Sequence, residues 1–82
     1  MLVQGIKTQY EVWMLGYNED DTVNDFDQLE GSFDDEDKAI WFATHYEFSK
    51  PSITPKAKIV VEEVQYDTER GDCVNVVLET EI

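Results

Sequence analysis

A run of acidic residues without a single cation occupies much of the first half of this sequence. Between Glu11 and Asp37 the chain has eleven carboxylates and no Lys or Arg, and the nearest cations are Lys7 and Lys38. Over all 82 residues, 19 Asp and Glu stand against 6 Lys and Arg, which gives a formal net charge of -13. Crowding of like charge destabilises a small compact domain, so selection for an electrostatic partner is one physical reason to retain it.

The density of this charge is comparable to that of duplex DNA. A globule of this length is expected to have a radius of gyration of about 12 Å and a diameter of roughly 30 Å. Duplex DNA about 30 Å long carries about 18 negative charges, and the chain carries 13. Such a surface repels nucleic acid and attracts the proteins that bind nucleic acid.

The rest of the composition indicates one folded domain over residues 1–82. Apolar residues make up 41% of the chain and aromatic residues 12%, which favours a packed interior over disorder. A chain of this length has room for one modest core. The single cysteine, Cys73, excludes an internal disulfide, and we expect neither a signal peptide nor a membrane span. We therefore expect a cytoplasmic protein.

The first strand is predicted over Thr8–Tyr17, where aromatic and branched residues are followed by turn formers. Alternation places Tyr10, Val12 and Met14 on one face, and Glu11, Trp13, Leu15 and Tyr17 on the other. A strand whose faces both carry apolar residues often meets a partner on the second face. The polar segment Asn18–Asp27 is predicted to be an exposed connection, followed by a short strand over Gln28–Phe33.

The clearest local signal is a helix start. Asp34 is predicted to be the N-cap, with Asp35, Glu36 and Asp37 in the first turn, where carboxylates favour the positive end of the helix dipole. Phe33 then precedes the cap as a hydrophobic staple. The helix is predicted to run from about Asp35 to Glu47. It would pack on a sheet through Ala39, Ile40, Phe42, Ala43 and Tyr46, with Trp41, His45 and Phe48 on an adjoining stripe.

The last part of the chain reads as a hairpin. Ser49–Lys58 is a connector, Ile59–Tyr66 and Cys73–Ile82 are strands, and Asp67–Asp72 is the loop between them. Val74, Val76 and Leu78 are predicted to share one face of the last strand. The fold class is therefore α+β, a small antiparallel sheet of three to four strands with one helix packed on it, in the order β(β)αββ.

No catalytic or metal site is predicted. The only histidine, His45, and the only cysteine, Cys73, lie on different elements, and a carboxylate beside Cys73 disfavours its thiolate. A calcium loop that began at Asp20 would have Asp25 where such loops need Gly, and Gly31 where they need Glu. One His and one Cys make no zinc site. We expect no cofactor. Direct nucleic-acid binding requires a basic stripe, and the candidate, Lys50, Lys56 and Lys58, is outweighed by the overall negative charge. These lysines are expected to relieve local repulsion or to meet an acidic patch on a second copy.

Two segments carry a resemblance to a known group of proteins. They are Glu11-Val-Trp-Met-Leu-Gly-Tyr17 and Leu29-Glu-Gly-Ser-Phe-Asp-Asp-Glu-Asp-Lys-Ala-Ile40, the second leading into an aromatic helix. In style and element order the chain resembles small acidic proteins of phages and other mobile elements of Gram-positive bacteria. Some proteins of that group inhibit CRISPR nucleases, and several of these are DNA mimics. The resemblance implies an inhibitor without a catalytic site that occupies the nuclease surface reading the duplex next to the target.

The sequence therefore predicts a non-enzymatic binding protein that presents carboxylates to a basic, nucleic-acid-binding partner. The expected contacts are Glu19, Asp20, Asp21, Asp25, Asp27, Asp34, Asp35 and Asp37, with Trp13 or Tyr17 as an aromatic anchor. The alternative is a small interaction or homodimerisation domain of a mobile element, whose acidic surface serves only solubility. A third hypothesis, a carboxylate or metal-dependent enzyme, needs a pocket that this length hardly supplies.

Overall fold

The computed structural model describes residues 7–67 and 71–82, which form one four-stranded antiparallel sheet and one helix. The elements are β1 (Lys7–Tyr17), β2 (Val23–Phe33), α1 (Glu36–His45), β3 (Lys56–Asp67) and β4 (Gly71–Glu81). Their order across the sheet is β2-β1-β3-β4. This confirms the α+β class and the predicted element order. The expected absence of a signal peptide, and residues 68–70 of the predicted hairpin loop, lie outside the described residues.

The hydrophobic core lies between α1 and the two central strands, β1 and β3. Ala39 and Ala43 of α1 face a layer of fully or nearly fully buried side chains that comprises Val12, Met14, Ala57, Ile59 and Val61. The helix covers only one face of the sheet, which we call the helix face. The opposite face, called the open face, carries the other residues of each strand. The described helix is too short and too polar to cross a membrane.

The helix is shorter at both ends than the sequence predicts. The N-cap is Asp35 instead of Asp34, and the Asp35 side chain accepts hydrogen bonds from the backbone N–H groups of Asp37 and Lys38 at 2.8 and 3.4 Å. Phe33 is still paired with Tyr10 in the sheet, so Asp34 is needed to connect strand and helix. Phe33 is therefore two residues before the cap, and its ring packs on Phe42 at 5.3 Å.

The carboxyl end of α1 is set by an aromatic cluster. The helix stops at His45 instead of Glu47, because Tyr46 adopts an extended backbone. This turn brings Phe48 back against Phe42, with ring centroids 5.4 Å apart and the rings edge to face. Phe48 thus belongs to the core, and only Trp41 and His45 form the predicted stripe, stacked at 4.6 Å.

The second strand is longer than predicted. Instead of a connection over Asn18–Asp27 and a short strand over Gln28–Phe33, β2 runs for 11 residues from Val23. Phe26 packs against the core, whereas Asp27, opposite Leu15, is exposed on the open face. This alternation is that of an edge strand covered on one face only. The polar residues that suggest a loop are therefore the solvent-facing half of a strand.

A bulge in β4 changes which side chains share a face. Val61 pairs with Leu78 and Glu62 with Val76, so Val77 is an extra residue in β4. Leu78 therefore packs against the core on the helix face. Val74 and Val76 are left on the open face, more than half exposed. The prediction that Val74, Val76 and Leu78 share a face is wrong for this reason.

The molecule is elongated. Its radius of gyration is 14.5 Å and its extents are 52 × 25 × 16 Å, instead of the expected sphere of about 12 Å radius of gyration and roughly 30 Å diameter. Strands of 11 or 12 residues span about 33 to 36 Å each. Because a single helix covers one face of the sheet, the third dimension stays thin.

The connector between α1 and β3 is fixed by Thr54, a fully buried polar residue. Its hydroxyl accepts a hydrogen bond from Asn24 Nδ2 at 2.8 Å and donates to the carbonyl of Lys56 at 2.8 Å. The Asn24 side-chain oxygen in turn accepts from the backbone N–H of Phe26 at 2.8 Å. These contacts join the connector to the start of the edge strand β2. The strand β3 begins at Lys56, two residues before the predicted end of the connector.

Candidate protein-interaction surface

Most of the acidic run lies along one edge of the sheet. The edge strand β2 and its two flanks carry ten carboxylates, which we call the acidic edge: Glu19, Asp20, Asp21, Asp25, Asp27, Glu30, Asp34, Asp35, Glu36 and Asp37. All of them are exposed except Glu30, which is partly exposed. The strand alone is about 33 Å long. The acidic edge is therefore a line of charge along the molecule.

Two carboxylates at one end of this line help to form the β1–β2 turn. Asp20 accepts hydrogen bonds from the Thr22 hydroxyl at 2.6 Å and the Thr22 backbone N–H at 3.1 Å, and these bonds hold the pKa of Asp20 below its usual range. Asp21 has a φ of 68° and pairs with Lys56 at 2.9 Å. That hydrogen bond raises the pKa of Lys56. Glu19 beside them is exposed.

At the other end, the acidic edge contains the first turn of α1. Asp35 is engaged as the N-cap. Among the described residues, the side chains of Asp34 and Asp37, like those of Asp25 and Asp27, accept no hydrogen bond and form no ion pair. Together with Glu19, five of the eight predicted contact acids therefore have no hydrogen-bond or ion-pair partner in the described fold.

The predicted contact acids do not form a compact patch. Glu19, Asp20 and Asp21 precede β2, whereas Asp34, Asp35 and Asp37 follow it, so the length of the strand separates the two groups. Asp25 and Asp27 lie between them on the open face. The sequence leaves open whether the loop and the helix start share one face, and in the fold they are the two ends of a strip.

Both predicted aromatic anchors lie on the open face. Trp13 is half-buried on β1 between Leu29 of β2 and Val60 of β3. Tyr17 lies at the end of β1 near the turn, and the Lys58 ammonium sits 4.8 Å from the centre of its ring. The two rings thus flank the position of Leu15, whose cross-strand neighbour is Asp27. The sheet brings Asp27 of β2 close to Trp13 and Tyr17 of β1.

A carboxylate pair in the middle of the open face escapes prediction from the sequence. Glu11 of β1 lies directly opposite Glu62 of β3. Glu11 accepts hydrogen bonds from Trp13 Nε1 at 3.1 Å and the Tyr66 hydroxyl at 3.0 Å, and the second bond raises the pKa of Tyr66. Burial raises the pKa of Glu62 above its ordinary value of 4.5, and the charge of Glu11 adds to this. Only the strand register, which the sequence does not specify, creates this pair.

Glu62→Gln is expected to stabilise the fold at neutral pH. Because the pKa of Glu62 is higher in the folded state than in the unfolded state, stability falls as the pH rises through 4.5 and ionisation opposes folding. Like charges directly opposite in a sheet cost about 0.5 kcal/mol, so we expect a gain of this size at pH 7 and none at pH 3. Urea unfolding at pH 7 and at pH 3 measures this gain in stability. Glu63→Gln, on the helix face, is the control, and an equal gain there would contradict the cause given.

The three lysines around the α1–β3 connector do not form an open anion site. A cavity of about 300 Å³ is lined in part by Tyr17, Lys50, Lys56 and Lys58, but its wall also contains Asp21 and Glu81. The Lys50 ammonium donates to the carbonyl of Thr54 at 2.7 Å, Lys56 pairs with Asp21, and Lys58 lies 3.6 Å from Glu79. These cations are therefore used within the fold, where they offset local repulsion.

The single histidine and the single cysteine are kept apart by the fold. His45 is stacked on Trp41 at the end of α1, and its Nδ1 lies 3.0 Å from the carbonyl of Trp41. Cys73 is exposed on the opposite edge strand, β4. Over residues 7–67 and 71–82, no group of three or more His, Cys, Asp or Glu side chains is arranged to hold a metal ion.

Comparisons with known proteins give no family for this chain. No protein-family model matches it. Searches of curated proteins and of solved structures also returned no match. Function therefore has to be inferred from the fold and surface of the chain itself.

Proposed function

We propose that this chain is a non-enzymatic binding protein that imitates the charge of nucleic acid and occupies a basic DNA-binding site on a partner protein. The observation that carries the proposal is the acidic edge, in which ten carboxylates follow one exposed edge strand and its flanks. A partner of this kind grips phosphates with Lys and Arg, which bind carboxylates through the same charge-assisted hydrogen bonds.

The number of charges along this edge supports the proposal. One strand of duplex DNA has one charge per ~3.4 Å of axis, so ~33 Å of strand carries about ten phosphates. The acidic edge has the same number of carboxylates, three of them on a strand of about that length and seven on its two flanks. Among the described residues, only Asp21 of this set is in an ion pair. Nine of the ten charges are therefore not neutralised by an ion pair within the described fold.

The two aromatic residues supply an apolar contact next to the charge. Trp13 and Tyr17 lie on the open face beside the strand that carries Asp25 and Asp27. Buried aromatic side chains often dominate the binding energy of an interface, whereas exposed charges at its rim chiefly steer association. In the proposed complex the acidic edge guides the encounter, and Trp13 or Tyr17 anchors it.

The partner class follows from the resemblance to small acidic proteins of phages and mobile elements. We propose a CRISPR nuclease as the target, with the acidic edge occupying the basic surface that reads the duplex next to the target. Binding there would exclude DNA by competition and would require no catalytic group on the inhibitor. The alternative function, an interaction domain without charge mimicry, predicts binding that does not depend on the acidic edge.

A displacement experiment with two matched variants tests the proposal. A fluorescent duplex bound to a guide-loaded CRISPR nuclease is titrated with the protein, and displacement is measured by anisotropy. The first variant carries Asp25→Asn, Asp27→Asn, Asp34→Asn and Asp37→Asn, four acids without a structural partner. The control variant removes the same charge elsewhere, through Glu47→Gln, Asp72→Asn, Glu79→Gln and Glu81→Gln.

We expect the acidic-edge variant to lose at least 100-fold in displacement, because each charge-assisted contact contributes about 1.5 kcal/mol or more, while the control loses less than tenfold. Equal losses would mean that only net charge matters, and no loss in either variant would contradict the mimicry. Circular dichroism of both variants establishes that they are folded.

A further inference from the structure

The two edges of the sheet differ sharply in charge. The strand β2 contains three charged residues, Asp25, Asp27 and Glu30. On β4 the six residues Cys73–Leu78 contain no charge at all, in a protein whose net charge is -13. Natural edge strands usually carry charges, prolines or coverings that prevent pairing with another chain. The acidic edge has such charges, whereas in the middle of β4 the bulge at Val77 is the one feature of this kind, and Cys73–Val76 before it have none.

The uncharged part of β4 is also exposed. Val74 is 52% exposed and Val76 is 57% exposed, both on the open face. The helix packs chiefly on β1, β2 and β3, so it gives β4 little cover on the other face. Within residues 7–67 and 71–82, no strand pairs with the outer edge of β4. The edge therefore offers backbone hydrogen-bonding groups and two valine side chains to an incoming strand.

We propose that β4 pairs with β4 of a second copy of this chain, antiparallel and around a two-fold axis at Asn75. An antiparallel strand edge is complementary to itself, because a two-fold axis brings the same donors and acceptors opposite one another. In this register Val74 of one copy lies opposite Val76 of the other, and Cys73 lies opposite Val77. The result is one continuous eight-stranded sheet with both helices on the same face.

Charge favours a second copy at this edge over the basic partner proposed above. The uncharged segment Cys73–Leu78 presents no carboxylate to Lys or Arg, so it has little to offer a cationic surface. The carboxylates of β4, which are Asp72, Glu79 and Glu81, lie at the two ends of the strand. In the dimer the two acidic edges are the outermost strands, roughly 34 Å apart at a strand spacing of about 4.8 Å. The Debye length at physiological salt is about 8 Å. Repulsion between the acidic edges is therefore largely screened, and both remain open to partners.

Site-specific oxidation tests the pairing and its register. In a Cys73→Ser background, Asn75→Cys places two thiols opposite each other across the two-fold axis, with Cα atoms about 5 Å apart, within reach of a disulfide. The matched control is Val23→Cys in the same background, on the exposed edge of β2. The native Cys73 residues would be about 14 Å apart, from a rise of ~3.3 Å per residue along the strand, which is too far to bridge.

We expect rapid disulfide formation for Asn75→Cys, at least tenfold faster than for Val23→Cys or for the native cysteine. Equal rates for all three would reflect random collision and overturn the proposal. Faster oxidation of the native Cys73 would overturn the register centred on Asn75.

Sedimentation provides a measurement that needs no cysteine chemistry. We expect the native chain to reach a mass near twice 9.5 kDa at millimolar concentration, Val76→Lys to remain monomeric, and Val23→Lys to dimerise like the native chain. The proposal would be overturned if the native chain stayed monomeric. It would also be overturned if Val23→Lys abolished the dimer as completely as Val76→Lys. Added salt should strengthen the dimer and weaken binding to a basic partner, so failure of either proposal leaves the other testable.

Discussion

Gly16→Ala is expected to lower the free energy of unfolding by about 3 kcal/mol, since overpacking a tight core costs 1–3 kcal/mol and broken buried hydrogen bonds add to this. A Cβ atom at Gly16 would lie 2.5 Å from Asn24 Oδ1, 2.7 Å from Thr54 Oγ1 and 2.9 Å from Phe26 Cβ. Contacts this short require the neighbouring groups to move. For a chain of 82 residues, such a loss is a large part of the stability, which is ~0.05–0.15 kcal/mol per residue.

The neighbours of Gly16 cannot move without cost, because they hold one another in place. Asn24 donates to Thr54 and accepts from the backbone of Phe26. Thr54 is fully buried, so a displaced hydroxyl would lose its partners without gaining water. The backbone at Gly16 therefore packs closely against the start of β2 and against the connector before β3.

Gly31→Ala is the matched control, since Gly31 is also a strand glycine near the core. The three atoms nearest to its Cβ would be ring atoms of Phe33 and Phe42, at 3.1 to 3.4 Å, and side-chain rings can shift by a few tenths of an ångström. Urea unfolding of both variants should show a loss at Gly31 less than half of that at Gly16. A loss at Gly31 as large as at Gly16 would contradict this account of the contact.

The element order was predictable because the local signals agree with the fold. The apolar pattern of β1, the acidic helix start and the two strands of the hairpin each specify their own structure. The extent of β2 was not predictable in the same way. Asp25 and Asp27 are typical of loops, and they fit a strand only because β1 supplies a partner and the open face leaves them in water.

Features that depend on register were the hardest to predict. The bulge at Val77 moves Leu78 to the helix face, and no residue in that segment marks it. The Glu11–Glu62 pair likewise exists only because of the β1–β3 alignment. For the candidate surface, the sequence supplied the residues of the acidic edge but not their arrangement, since a strip and a patch have the same composition.

The affinity of the proposed complex is expected to fall steeply with salt. Binding that replaces one strand of DNA should follow the same electrostatics, with a slope of log affinity against log salt of about -0.7 per charge contact. With the ten carboxylates of the acidic edge engaged, affinity should fall about 10⁴-fold between 50 and 200 mM salt. A complex held mainly by Trp13 and Tyr17 would lose less than tenfold over this range.

The slope also counts the charges that take part, which a single affinity does not. Removing Asp25, Asp27, Asp34 and Asp37 through the four asparagine substitutions should make the slope less steep by about 3. The variant with the four acids changed outside the acidic edge should keep the native slope. Titrations of the nuclease from the displacement experiment at several salt concentrations measure both. A native slope in the acidic-edge variant would place the contact elsewhere on the molecule, because four lost ion contacts must reduce the number of ions released on binding.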